Sequence, residues 1–232
     1  MTGETFERIR DHLVVDVWSD VMCPFCYMGD ALLARALEQF PHKDDVEVHY
    51  HSFLLMPELS SDTPIDLNEL LAAKRGFPRE QAAAMNEQIA ARGREVGLEY
   101  RFDRVLAVST RTAHELSHFA AAHGKQHEMV QRLFQAYFTD GLNVADHQVL
   151  ADLATGVGLD RDATLAALAS GRFADAVDAD VEQARQMGIS GVPFFVFAGK
   201  YAVSGAQPVE VFGQALETSW NETVGTAAGA GR

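Results

Sequence analysis

The sequence has few cysteines. Only Cys23 and Cys26 occur among 232 residues, separated by Pro24 and Phe25. Two cysteines make no framework of structural disulfides and supply only half of a four-ligand zinc site. A bridge that closes so short a loop would add little stability to a chain of this length. The pair therefore indicates redox chemistry, in preference to inert thiols, a structural staple or a metal site.

Positive charge and long apolar runs are also scarce. The chain has 19 basic and 33 acidic residues and a net charge of −14, which argues against nucleic acid or an anionic membrane as a partner. No run is long and apolar enough for a membrane span. Residues 1–12 are polar and lack the apolar core of a secretory signal. We expect a cytoplasmic protein, where a cysteine pair is more often catalytic than structural.

The cysteine pair lies where a predicted strand gives way to a predicted helix. The apolar run 13–18 precedes the pair, and helical spacing continues to about Phe40. The unpaired N–H groups and partial positive charge of a helix start stabilise a thiolate, and can lower a cysteine pKa from about 8.5 to roughly 3.5–7.5. We therefore expect Cys23 to be the exposed nucleophile and Cys26 the buried resolving thiol. Pro24 suits the first helical turn.

Polar and apolar residues alternate along a second predicted strand, 46–53, which completes a strand–helix–strand unit. One of its faces carries His49 and His51. A metal site is one interpretation of this pair, but an ordinary sheet face that is solvated or partly covered is favoured.

The region 64–187 is rich in alanine, leucine, glutamate and arginine, and predicts a helical domain inserted into an α/β domain formed by 1–63 and 188–222. Glycines repeatedly follow the last periodic residue, as helix stop signals do. The predicted helices are 65–75, 79–96, 111–123, 128–139, 146–155, 161–169 and 173–187. After them we expect a strand at 193–198, a two-residue turn at Gly199 and Lys200, a return strand at 201–204 and a helix at 209–220. Residues 223–232 predict a flexible tail.

Three stretches carry a resemblance to a known family: 19–29 (SDVMCPFCYMG), 188–196 (GISGVPFFV) and 204–208 (SGAQP). With the helices between them, they resemble the DsbA-like thiol oxidoreductases, and most of all the FrnE-like branch. The resemblance implies an α/β thioredoxin-like fold with a large helical insertion. It also implies that Pro193 is a cis-proline facing the cysteines, and that the Val192 backbone pairs with a substrate chain as an added strand.

One departure concerns Phe25, because strongly oxidising members of the family carry histidine there. A phenyl ring cannot stabilise the thiolate by hydrogen bonding, so the resemblance implies a less oxidising protein in which Phe25 offers a flat apolar contact. Extra cysteines found in some relatives are absent, so any electron relay must involve another molecule.

These observations predict a thiol–disulfide oxidoreductase or isomerase acting on protein or small-molecule thiols and disulfides. It needs no cofactor beyond the cysteines, with glutathione as a candidate reductant, and both a monomer and a homodimer remain open. Two alternatives also remain open: a glutathione-dependent transferase or isomerase, and a non-catalytic thiol-bearing binding protein.

His114, Glu115 and His118 match the His-Glu-x-x-His pattern of zinc proteases on a predicted helix. The residues that follow do not supply the usual third histidine, and the pattern is short enough to occur by chance. An ordinary helix with both histidines partly exposed is favoured over a zinc protease. His114 is a candidate for the border of the active-site cleft, because the resemblance places the inserted helices over it.

Overall fold

A four-stranded mixed sheet forms the centre of the protein. The computed structural model describes residues 12–76 and 78–223, so the expectations for the N-terminal segment before His12 and for the tail after Thr223 lie outside it. The strands are β1 (Leu13–Ser19), β2 (Val46–Ser52), β5 (Phe194–Phe197) and β6 (Tyr201–Ser204), in the order β2-β1-β5-β6. β2 runs parallel to β1, whereas β5 is antiparallel to β1 and β6 is antiparallel to β5.

Most of the helices lie in sequence between β2 and β5. Within the described ranges they are α1 (Pro24–Gln39), α2 (Leu67–Arg75), α3 (Arg79–Glu95), α4 (Arg111–Ala121), α5 (Gln126–Gln135), α6 (His147–Gly156), α7 (Arg161–Ala169), α8 (Ala174–Gln186) and α9 (Val209–Thr223). None of these helices has the length and apolar character that crossing a bilayer requires. The predicted thioredoxin-like α/β fold with a large helical insertion is confirmed.

The two faces of the sheet are covered by different helices. Val15 and Val17 of β1 lie in the main core with Phe195 of β5 and Phe212 of α9, and α1 packs beside α9. On the opposite face, a smaller cluster joins the sheet to α8 through Trp18, Val196, Ala184 and Ile189. The C-terminal end of the insertion is thus anchored to the sheet, since α8 also packs on β2.

The insertion differs from its predicted form in two details. Ile65–Asp66, predicted as the first helical residues, form the short strand β3, which pairs antiparallel with β4 (Leu106–Ala107). The Asp66 carboxylate accepts a hydrogen bond from the N–H of Glu69, so α2 begins only after this cap. The end of the predicted helix 128–139 is a π-helical turn, Ala136–Asp140.

Glycines end helices as predicted. Gly76 follows α2 with a φ of 70°, and Gly141 follows the π-helical turn with a φ of 69°. A side chain is strained in this left-handed region, so glycine is the residue that stops a helix there at low cost. The predicted two-residue hairpin turn is one residue too short. The observed turn spans Ala198 to Lys200, with Ala198 itself at a φ of 54°.

Candidate active site

Cys23 is the N-cap residue of α1, and Pro24 occupies the first helical turn as predicted. The Cys23 N–H donates to the Asp20 carbonyl at 3.0 Å, and the Cys23 carbonyl accepts the N–H of Cys26 at the same distance. Both backbone groups of Cys23 are therefore fixed by the turn. Its thiol lies at the helix end, where the backbone dipoles favour a negative charge.

The expectation of an exposed Cys23 was wrong. Cys23 is 4% exposed and Cys26 2%, and both are free thiols. The two residues differ instead in what they face. Cys23 contributes to the wall of a surface cleft, whereas Cys26 lies in the core behind it. Burial, reinforced by the neighbouring Cys23, raises the pKa of the Cys26 thiol well above its usual range.

The loop before β5 faces Cys23. The Cys23 thiol donates to the Val192 carbonyl oxygen at a sulfur–oxygen distance of 3.6 Å. The Val192–Pro193 bond is cis, and the Pro193 carbonyl accepts the N–H of Gly205 at 2.8 Å. α1 approaches this loop closely because Gly29 has no side chain: a Cβ there would lie 3.0 Å from Pro193 Cγ. The two sequence motifs, 169 residues apart, thus form one site.

The cleft beside Cys23 has a volume of ≈ 400 Å³ and an apolar lining. Its walls come from the cysteine turn, the Pro193 loop and the insertion, and include Met22, Phe25, Leu71, Met85, Ile89, Phe102 and Val192. Arg75 also lines it, and the guanidinium of Arg92 lies 5.5 Å from the centre of the Phe25 ring. A thiol partner that enters this cleft would contact an apolar surface with positive charge nearby.

The insertion also supports the cysteine turn directly. The Tyr100 hydroxyl donates to the Pro24 carbonyl oxygen at 2.6 Å. Tyr100 stacks on Phe102 at a centroid distance of 5.3 Å and occupies space that Gly93 of α3 leaves open. A Cβ at Gly93 would lie 2.2 Å from Tyr100 Cε2, well inside van der Waals contact.

We expect Gly93→Ala to destabilise the protein despite the higher helix propensity of alanine. The new methyl group forces Tyr100 to move, so the net cost should be about 1–3 kcal/mol, the range of overpacking in a filled core. Chemical denaturation measures the change in the free energy of unfolding. Gly156→Ala in α6 is the control, because its Cβ would meet nothing within 4 Å. That variant should be neutral or more stable, and equal stability of both variants would contradict the packing argument.

Asp20 lies between β1 and the cysteines and is fully buried. Its carboxylate is contacted by the N–H groups of Met22 and Leu55 at 3.3 and 2.7 Å, the Thr110 hydroxyl at 2.8 Å and the His114 imidazole at 3.4 Å. These groups come from the cysteine turn, the segment after β2 and α4. Asp20 therefore joins the insertion to the active-site turn.

The histidines that match a zinc pattern have carboxylate partners. His114 pairs with Asp20, and His118 Nε2 lies 3.0 Å from Asp180. His114 is 5% exposed, so the expectation that it would be partly exposed was wrong. On β2, His51 pairs with Asp16 and Asp180, while His49 is half exposed. Within residues 12–76 and 78–223, no cluster of three or more potential ligands has the arrangement of a metal site.

Sequence reasoning missed Tyr100 and Thr110, and named Asp20 only as part of a motif. The one available signal was the position of Asp20, a carboxylate directly after a buried strand. No local signal in the sequence marked Tyr100 or Thr110, because their hydrogen-bond partners, Pro24 and Asp20, lie 76 and 90 residues away.

These features define a class: a thioredoxin-like domain with a Cys-x-x-Cys pair at the start of its first helix, facing a Val-Pro loop. Residues 14–217 match the DSBA-like thioredoxin domain, and the chain belongs to this family.

Similar proteins cover nearly the whole chain. The uncharacterized protein YwbO from Bacillus subtilis is 31% identical over 204 residues, which are 87% of this chain and 94% of YwbO. A probable DsbA oxidoreductase from Streptomyces coelicolor has a similar structure, with a TM-score of 0.86 and 41% identity over 91% of each chain. The cytosolic disulfide reductase DsbM from Pseudomonas aeruginosa, solved with glutathione, shares the fold at a TM-score of 0.64 and 18% identity, covering 90% of this chain and 99% of DsbM.

Proposed function

We propose that this protein is a thiol–disulfide oxidoreductase. The Cys23 thiolate attacks a disulfide of the partner and forms a mixed disulfide, and Cys26 then attacks Cys23 and releases the partner as a thiol. The cysteine pair ends as a disulfide and the partner has gained two electrons. The same steps in reverse oxidise a partner dithiol. No redox group other than the cysteine pair is required.

The observation that carries the proposal is the position of Cys23. It caps α1, lines the cleft and lies 3.6 Å from the Val192 carbonyl, with Cys26 shielded behind it. A sulfur at this place meets the partner before Cys26 does. Val192 adds to the proposal because its N–H has no hydrogen-bond partner among the described residues. An extended segment of the partner can pair with this backbone.

We also propose the class of partner and the compartment. Protein disulfides and small thiols such as glutathione fit, since the apolar cleft and the nearby Arg75 suit a ligand with both apolar and anionic parts. The Pseudomonas protein is a cytosolic disulfide reductase and was solved with glutathione. By analogy, it supports a reducing compartment for this protein. The three motif stretches support placement in the FrnE-like branch.

The experiment is an assay of protein disulfide reduction with insulin as substrate and glutathione as reductant. We expect catalysed reduction, and we expect mass spectrometry of the oxidised protein to show a disulfide between Cys23 and Cys26. A protein that binds insulin but gives no rate above the background would overturn the proposal in favour of a binding protein.

A glutathione-dependent transferase or isomerase can be distinguished from a dithiol oxidoreductase by testing whether its activity needs Cys26. Such an enzyme would turn over small electrophiles with saturable glutathione, and Cys26→Ser would leave that turnover intact. We expect no such turnover here, and we expect Cys26→Ser to slow disulfide reduction, because Cys26 resolves the mixed disulfide in the proposed reaction.

A further inference from the structure

The cleft beside Cys23 carries positive charge in a protein that is acidic overall. Among the described residues of its wall, Arg75 at the end of α2 is the one charged side chain, and no carboxylate is present. On α3, the exposed Arg92 has its guanidinium 5.5 Å from the centre of the Phe25 ring, which also belongs to the wall. The chain has a net charge of −14, so its surface as a whole repels anions, whereas this cleft attracts them.

These two arginines also lack the carboxylate partners that other arginines of the insertion have. Arg94, on the same helix as Arg92, pairs with Glu87 at 2.9 Å. Neither Arg75 nor Arg92 forms an ion pair with any residue in the described part of the chain. Both guanidinium groups are therefore available to a ligand, and the planar fork of arginine matches the two oxygens of a carboxylate.

Asn86 gives the same wall a polar group that a ligand can use. This residue of α3 is 5% exposed and lines the cleft. Its Nδ2 donates to Asn68 Oδ1 at 2.8 Å, whereas its own Oδ1 receives no hydrogen bond from any residue within 12–76 and 78–223. A carbonyl oxygen in such a buried position is stabilised by a ligand that brings the missing donor. The N–H of a peptide bond is such a donor.

We propose that the cleft selects small peptide disulfides that carry carboxylates, with Arg75 and Arg92 binding the carboxylates and Asn86 accepting a peptide N–H. The inference rests on the proposed function and names its substrate class and the residues that select it. The cleft volume of ≈ 400 Å³ falls within the range of small-molecule sites, about 300–1,000 Å³. Glutathione disulfide has the required groups: carboxylates, peptide N–H groups and a disulfide between them.

The arginines act on the first step of the reaction. The Cys23 thiolate attacks one sulfur of the bound disulfide, the bond from Cys23 to this sulfur forms, and the disulfide bond of the partner breaks. The departing half leaves as a thiolate that takes up a proton, and attack by Cys26 then releases the other half. Bound carboxylates hold the disulfide beside Cys23, so the arginines accelerate the reaction of anionic disulfides over that of neutral or cationic ones.

The test compares three disulfides of similar size and different charge with the reduced, full-length protein. They are 3,3′-dithiodipropionate with two carboxylates, the uncharged bis(2-hydroxyethyl) disulfide, and cystamine with two ammonium groups. Reactions are stopped with acid, and mass spectrometry measures the protein that has formed a disulfide. Each reagent has its own reactivity, so the quantity compared is the rate constant of a variant divided by that of wild type for the same reagent.

We expect Arg75→Gln and Arg92→Gln each to lower this quantity for the dicarboxylate by roughly three- to tenfold relative to the uncharged disulfide. Cystamine should shift in the opposite direction, because a repelling charge has been removed. Arg75→Lys keeps the charge and should retain most of the preference. Arg94→Gln is the matched control, since it makes the same change of net charge on α3 at a residue already paired with Glu87. It should not alter the preference.

The role of Asn86 is tested with a fourth reagent, glutathione disulfide, which has the peptide N–H groups that dithiodipropionate lacks. Asn86→Leu should slow the reaction with glutathione disulfide by roughly two- to tenfold more than the reaction with dithiodipropionate. Equal slowing of these two reactions would refute the hydrogen bond from a peptide N–H to Asn86. The arginine variants change exposed side chains, so they test the selection of carboxylates even if Asn86→Leu does not fold.

The outcomes separate the two proposals. Wild-type protein that forms no disulfide with any of the four reagents would refute the oxidoreductase proposal itself. Arg75→Gln and Arg92→Gln variants that change the rates with all three test disulfides by one common factor would overturn the selection of carboxylates and leave the oxidoreductase proposal intact. A shift as large in Arg94→Gln would overturn it as well, because net charge rather than binding in the cleft would then set the preference.

Discussion

Substitution of Cys26 by serine is expected to convert the protein into a trap that holds its partner as a mixed disulfide. Cys23 still caps α1 and faces the cleft in this variant, so the first attack proceeds. The second attack requires a sulfur at position 26, and a serine hydroxyl does not cleave the disulfide under the same conditions. Purification of Cys26→Ser under non-reducing conditions, followed by mass spectrometry, should recover glutathione or client proteins attached to Cys23.

Cys23→Ser is the matched control. It retains Cys26, but this thiol is buried and its pKa is raised, so little of it is ionised at neutral pH. Insulin reduction should fall to the uncatalysed rate, and no partner should be attached. Recovery of partners with Cys23→Ser and none with Cys26→Ser would reverse the assigned roles. Unchanged reduction by both variants would exclude the cysteine pair as the reacting group.

Local signals made much of the fold predictable. The apolar run 13–18 followed by a proline-containing helix start correctly placed the cysteines at the end of β1 and the beginning of α1. Glycines after periodic segments, such as Gly76 and Gly141, correctly marked helix ends because few other residues adopt a left-handed backbone at low cost. These features depend on neighbours in sequence.

The features that were missed depend on tertiary contacts. Cys23 is buried because the insertion and the Pro193 loop cover it, and no property of residues 19–29 specifies that cover. The pairing of Tyr100 with Pro24 and of His114 with Asp20 crosses long stretches of sequence. β3 and β4 have two residues each, too few for a periodic pattern. Their positions follow from packing rather than from local propensity.

A network of histidines and carboxylates joins β2 to α8 and is expected to give the protein a pH-dependent stability. His51 lies 2.8 Å from Asp16 and 3.0 Å from Asp180, and Asp180 also accepts the N–H of Ser52 at 2.7 Å. Burial acts to lower the pKa of His51, but the hydrogen bonds to Asp16 and Asp180 outweigh it and raise the pKa from 6.5 to about 9. Burial acts to raise the pKa of Asp180, but hydrogen bonds from His118 and His51 outweigh it and lower the pKa.

The signs of these shifts define the pH range of maximum stability. The contribution of His51, at most about 3 kcal/mol, is complete below about pH 6.5 and is lost as the pH rises through 9. The contribution of Asp180 is present above its ordinary pKa of 3.8 and is lost as the pH falls through its lower folded value. Urea unfolding should therefore show greatest stability from this network between about pH 4 and pH 6.5.

Asp180→Asn tests the network, because asparagine keeps the size of the side chain and removes its charge. His51 then retains one carboxylate partner, so the variant should lose about 3 kcal/mol of unfolding free energy at pH 6, and should lose less than wild type on going from pH 6 to pH 9.5. Asp178→Asn is the control from the same helix. Asp178 is 62% exposed in its pair with Arg111, and such pairs contribute about 0–1 kcal/mol. Equal costs for the two variants at pH 6 would mean that the network does not hold α8 on the sheet, and that the cluster of Trp18, Val196, Ala184 and Ile189 does so by apolar packing alone.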